Sequence, residues 1–105
     1  MSSYSLVYTT IDTSENAKNL ARLVVEDSLA ACAHIFPQGV AVYRWEGDIQ
    51  EESEHLVVFK TKSSLKADAM ACIKKNHTYE VPAIFCTEIS AGDDDYLGWV
   101  SLQTR

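Results

Sequence analysis

His77 stands in "KKNHTYEVP" (residues 74–82), behind two lysines and an asparagine and ahead of a Tyr-Glu-Val-Pro run. A neutral imidazole suits copper or zinc, and a histidine between a helix end and a loop can be presented in a cleft. One imidazole is not a closed site. Tetrahedral zinc takes four ligands, and His34, His55 and His77 lie far apart with no acidic or cysteine neighbour at helical ligand spacing. His77 therefore reads either as a ligand completed by other groups or as a capping histidine bonded to a carbonyl or carboxylate. Cys32, Cys72 and Cys86 are an odd number without close spacing. That points to reduced thiols and away from a disulfide framework or a Cys-x-x-Cys knuckle. Cys32 would be reactive only with a cation such as Lys60 beside its thiolate, and is otherwise a small buried residue. The acidic runs "DIQEESE" (48–54) and "DDD" (93–95) attract cations but lack the ligand order of an EF-hand loop. The first reads as a solvated hairpin edge that resists aggregation.

Patterns that carry catalysis are missing. There is no Gly-x-Ser-x-Gly elbow, phosphate-binding glycine loop or His-Glu-x-x-His helix, so the chain is expected to be no enzyme and to need no organic cofactor. A net charge of −6 with nine scattered basic residues argues against a nucleic-acid partner. No basic patch followed by an apolar run opens the chain, and no eighteen apolar residues run together. No membrane partner and a cytoplasmic location are the expectations. The 105 residues suit one domain, 1–105, burying roughly 65% of its unfolded surface.

The elements that must position these residues follow from periodicity. "SLVYTT" (5–10) is β-rich. Asp12 with Glu15 forms a capping box, and Ala17, Leu20, Ala21 and Val24 make one helical stripe. "AACAHIF" (30–36) and "VAVYRWE" (40–46) alternate as one long strand interrupted at Pro37-Gln38-Gly39. Gly47-Asp48 turns the chain and "EHLVVFKT" (54–61) returns. Ser63 or Ser64 caps a second helix carrying Leu65, Ala69, Cys72 and Ile73. Lys74 and Lys75 complement its C-terminal dipole, and Asn76 is a left-handed residue after it. "AIFCTEI" (83–89) is a last central strand, and Asp93, Asp94 and Asp95 cap a short helix with Tyr96, Trp99 and Val100. Strand, helix, strand, strand, helix, strand predicts an α+β, ferredoxin-like split βαβ sandwich (βαββαβ) with a long β2-β3 hairpin and a short C-terminal helix.

In order and spacing, "LARLVVEDSLAACAHIFP" (20–37), "YRWEGDIQEESE" (43–54), "FKTK" (59–62), "NHTYEVPAI" (76–84) and "DYLGWV" (95–100) resemble the CutA divalent-ion tolerance proteins over nearly the whole chain. The resemblance implies a ferredoxin-like subunit, a homotrimer, and binding of copper, zinc or similar divalent ions that contributes to metal tolerance. It places His77 as the metal ligand and Cys32, Trp45, Glu46, Lys60, Tyr79, Tyr96 and Trp99 in clefts between subunits. It also implies two further copper ligands, a cysteine and a histidine, at positions where this chain carries Tyr8 and Asn76. A rival reading, by analogy of fold, is a signalling or adaptor trimer that binds a small molecule in those clefts.

The residues themselves argue for an assembly. Both helices of such a fold cover one sheet face, so a monomer should present a polar second face. Here Leu56 and Val58 oppose Val57 and Phe59, and Val40 and Val42 oppose Ala41, Tyr43 and Trp45, so both faces are apolar. An apolar face of several hundred Å² calls for a partner unless the C-terminal helix covers it. Sedimentation at micromolar concentration is expected to give a multiple of the 11.7 kDa chain mass, three for the trimer, and a single-chain mass would refute the assembly.

Overall fold

The structure is a computed structural model, and it describes residues 2–105. Strand β1 (Tyr4–Ile11) alternates buried and half-buried side chains along its whole length, as a strand with a covered face must. Its inward residues Ser5, Val7, Thr9 and Ile11 are buried beneath helix α1 (Ser14–Glu26) and helix α2 (Lys66–Asn76). Helix α1 buries the expected stripe of Ala17, Leu20, Ala21 and Val24. Full burial of residues such as Leu20 and Val24 contributes about 1.5–3 kcal/mol each.

Strands β2 (Cys32–Ile35) and β3 (Gly39–Trp45) both pair antiparallel with β4 (Asp48–Lys62), which confirms one strand path broken at residues 36–38. Sheet order is β2-β4-β1-β5, with β3 on the outer length of β4 and β5 spanning Ile84–Glu88. Each neighbouring pair is antiparallel. This is the split βαβ arrangement anticipated from the element order. Val57 and Phe59 of β4 join Val7, Ile11, Leu65, Ala69 and Ile73 in the core between sheet and helices. Helix α3 (Asp94–Gln103) is capped by the Asp93 carboxylate, which accepts from the Tyr96 amide at 3.0 Å. Its Val100 is buried, and its Ser101 hydroxyl meets the Tyr4 phenol at 2.6 Å.

Several local expectations are corrected. The α1 cap is Thr13, whose hydroxyl accepts from the Asn16 amide at 3.0 Å. Asp12, one residue earlier, accepts instead from the Thr13 amide and the Asn16 side chain, so two short polar residues share the start of the helix. No serine side chain caps α2; a 3-10 turn, Ser63–Leu65, leads into it, and the Ser63 hydroxyl bonds Ser5 at 2.7 Å. Asn76 is the last helical residue and donates back to the Cys72 carbonyl at 2.8 Å, satisfying an end carbonyl without a left-handed residue. The hairpin turn is Glu46-Gly47, at φ 51° and 87°, with Asp48 already paired to Trp45. A two-residue turn with two positive φ angles matches the strand twist, and glycine takes the second at no steric cost. Finally, β5 lies at the sheet edge, bonded to β1 alone.

Phe59 is the largest of the fully buried side chains. Phe59→Ala is expected to lower unfolding stability by about 3–5 kcal/mol through lost burial and a residual cavity. Urea denaturation at fixed protein concentration measures it, and a loss under about 1 kcal/mol would contradict this core.

Candidate functional site

The residues singled out by sequence occupy four places. Cys32 and Lys60 face each other across β2 and β4, with the ammonium 3.9 Å from the sulfur, on the sheet face away from α1 and α2. Tyr96 and Trp99 stack at 5.9 Å on the exposed side of α3. Glu46 sits in the hairpin turn. Trp45 and Tyr79, by contrast, converge on one cavity, and His77, outside its lining, holds the Tyr79 amide. Cys72 and Cys86 pack against the core, as their positions on the helix stripe and β5 suggest.

His77 ends α2 in extended backbone at φ −78° and ψ 151°. Its Nε2–H points at the Thr10 carbonyl, 2.8 Å away, and the Thr9 hydroxyl, 3.1 Å away. Nδ1 accepts from the Tyr79 amide at 3.0 Å. A carbonyl on one side and an amide on the other assign the neutral Nε2–H tautomer. The imidazole thus pins the turn after α2 to the end of β1 and sets the direction of Tyr79, whose ring lies 4.8 Å from it. Among the described residues, no three His, Cys, Asp or Glu side chains gather where one metal ion could touch them all. Within one chain, the donors do not fit a closed divalent-metal site.

The cavity has a volume of about 630 Å³ and lies between the β3-β4 hairpin and the loop leading to β5. The two-residue turn decides its floor. With Trp45 opposite Asp48, Tyr43 opposite Gln50 and Ala41 opposite Glu52, alternation brings Ala41, Tyr43, Trp45, Gln50, Glu52 and Glu54 to one face. Tyr79 closes the inner end and donates its phenol hydrogen to Glu54 Oε2 at 3.0 Å. Burial first, then the Glu54 carboxylate, pushes the Tyr79 phenol well above its usual range. Tyr43 is raised as well, by desolvation and by Glu52. Both phenols are held toward the protonated form, and Tyr79 donates its proton to the Glu54 carboxylate. Tyr43, Glu52, Glu54 and Glu80 were missed by sequence reasoning, which read 48–54 as a solvated edge. The signal that finds Tyr43, Glu52 and Glu54 is strand alternation across a two-residue turn, which puts them on the face of Trp45; Glu80 lies on the loop before β5, where no such period applies.

Fold and cavity together define the class: a small α+β, ferredoxin-like chain extended by a hairpin, with no metal cluster of its own among the described residues. The chain belongs to the family described as CutA1 divalent ion tolerance protein, which it matches over residues 5–103. It is 40% identical to the chloroplastic protein CutA of Arabidopsis thaliana over 95% of this chain and 55% of that protein. It is 39% identical to protein CutA of Mus musculus over 98% of this chain and 58% of that one. The crystal structure of CutA1 from Oryza sativa superposes with a TM-score of 0.95 at 36% identity, covering 99% of this chain and 95% of that chain. The chain therefore spans little more than half the length of the Arabidopsis and mouse relatives, and nearly all of the rice structure.

The raised Tyr79 phenol has a consequence for stability. The native state keeps a proton that the unfolded chain releases above about pH 10, so stability is full below that pH and falls as pH rises toward the native value. Thermal unfolding between about pH 9.5 and 11 is expected to show a steeper fall for the wild type than for Tyr79→Phe. Parallel falls would mean that neither burial nor the Glu54 carboxylate raises the Tyr79 phenol in the folded chain.

Proposed function

We propose that the chain forms a homotrimer that takes up divalent ions of the copper or zinc type at the boundaries between subunits, and so contributes to metal tolerance. Membership of the divalent ion tolerance family supports the metal. The observation that carries the trimer is the second sheet face. Phe36 and Phe85 remain 42% and 51% exposed there, and α3, which meets β1 through Ser101 and Tyr4, leaves its own Tyr96 and Trp99 exposed. Burying that face against other copies removes apolar area from water. It would also bring Cys32, Glu46, Lys60, Tyr96 and Trp99, dispersed in one chain, into clefts with Trp45 and Tyr79. His77 is the ligand we assign. Its Nδ1 is the unprotonated nitrogen, held by a single amide hydrogen bond, and the remaining donors come from neighbouring subunits. The role is binding and not catalysis, nucleic acid and membrane are not partners, and three free cysteines suit a reducing cytoplasm. No described helix is long and apolar enough to cross a membrane.

A second reading, a trimer that binds a small molecule, is favoured by the aromatic cavity itself, whose volume of about 630 Å³ lies within the usual range for ligand sites. Calorimetric titration of the chelator-stripped assembly with Cu(II) and Zn(II) separates the two. Metal binding at a stoichiometry tied to the trimer, weakened at least about tenfold by His77→Ala, is the expected result. Equal binding by wild type and variant would remove His77 from the site. No saturable binding at all would leave the small-molecule reading.

A further inference from the structure

We propose that the cavity beneath the β3-β4 hairpin binds an aliphatic polyamine, its ammonium groups on Glu52 and Glu54 and its methylene chain against Tyr43, Trp45 and Tyr79. The inference gives the small-molecule reading a ligand class; it rests on that reading's cavity and not on metal binding.

Three features of the lining decide the chemistry. The first is charge. Glu52, Glu54 and Glu80 line the cavity, and no lysine or arginine does so among the described residues. The ion pairs among the described residues, Arg22–Glu26 and Arg105–Asp27, lie outside the cavity and leave Glu52 and Glu54 without a cation. Glu80 also borders a second groove, which Lys74 lines as well. An anionic ligand is excluded, and a cationic one is attracted.

The second feature is the spacing of that charge. Glu52 and Glu54 are alternate residues on one strand face, with Cα atoms about 6.8 Å apart, and the Glu54 carboxylate is held on the Tyr79 phenol. No third His, Cys, Asp or Glu joins them in a metal cluster among the described residues. Two carboxylates with no third protein donor hold a compact divalent ion weakly, whereas ammonium groups separated by the propyl and butyl segments of a polyamine match their spacing.

The third is the apolar surface. Tyr43 and Trp45 remain 40% exposed on the same hairpin face as the glutamates. Aromatic faces attract ammonium groups through the ring quadrupole and offer area to the methylenes between them. Ala41, Val81 and Ala83 supply the rest of the apolar wall. Carboxylates alone would hold any cation; carboxylates interleaved with aromatic rings select one that is partly hydrocarbon.

The test is calorimetric titration of the assembled, chelator-treated protein with spermidine, in parallel with Mg(II) and with an uncharged diol of similar length. Saturable spermidine binding that Mg(II) at equal charge does not displace is expected, weakened about tenfold or more by Glu52→Gln. Glu15→Gln makes the same change in net charge on exposed α1 and is expected to alter affinity less than about twofold. Trp45→Leu keeps every charge and is expected to weaken spermidine while leaving the slight Mg(II) association unchanged. Equal losses from Glu52→Gln and Glu15→Gln would reduce the effect to attraction by the net charge of the chain and overturn the proposal. So would an absence of saturable binding. Diol binding as tight as spermidine binding would also overturn it while preserving the small-molecule reading.

Discussion

Strand β4 is hydrogen-bonded along its length to three others: β1 from His55 to Lys62, β2 from Val57 to Lys60, and β3 from Asp48 to Glu54. Side chains alternate with period two, so the registers of core and hairpin are coupled through this one strand. Val57, Phe59 and Thr61 face the helices and are fully buried. Glu52 and Glu54, of the opposite parity, are thereby committed to the other face, where the cavity forms. A one-residue slip in β4 would expose Phe59 and turn the glutamates away from Tyr79. The core thus holds the site in place, although the two share no side chain.

The turn after α2 is the second fixed point. His77 spends both ring nitrogens within the chain, one on the Thr10 carbonyl and one on the Tyr79 amide. An imidazole so placed ties a loop to a strand end, and the loop then carries Tyr79 to within 3.0 Å of Glu54. The hydrogen bond from Tyr79 in turn restrains the long side chain of Glu54 at the inner end of the cavity. Loop, strand and hairpin are linked in series by polar contacts, each partly shielded from water, where such bonds gain strength. A divalent ion on His77 would therefore be coupled to the position of the Tyr79 backbone.

Family membership and geometry bear on different levels of the same question. The family's name speaks of divalent ions, yet the described residues of one chain hold no set of converging metal donors. An incomplete donor set and an uncovered aromatic sheet face are resolved together if subunit boundaries complete the site. The cavity, in contrast, is formed by one chain: three strands and one loop build its wall, and among the described residues no lysine or arginine lines it. An ion on His77 and an organic ligand in the cavity would then be neighbours, joined through Tyr79.

Much of this was legible in the sequence because it depends on local periodicity. The helical stripe of Ala17, Leu20, Ala21 and Val24, the break at Pro37 to Gly39, the acidic cap of α3 and the two apolar faces of β4 each follow from residue spacing within a short window. The helix caps were less legible: Asp12 and Thr13 are both good capping residues, and only their competition for Asn16 separates them. What the tertiary structure alone decided is which distant groups meet. Whether His77 would bond a carbonyl and whether Tyr79 would reach Glu54 depend on pairings 25 to 68 residues apart in the chain, and the face taken by Glu52 and Glu54 follows the register of β4. Sequence spacing carries no information about such contacts until strand register is set, and that register is chosen by the burial of Phe59 and Val57 in the core.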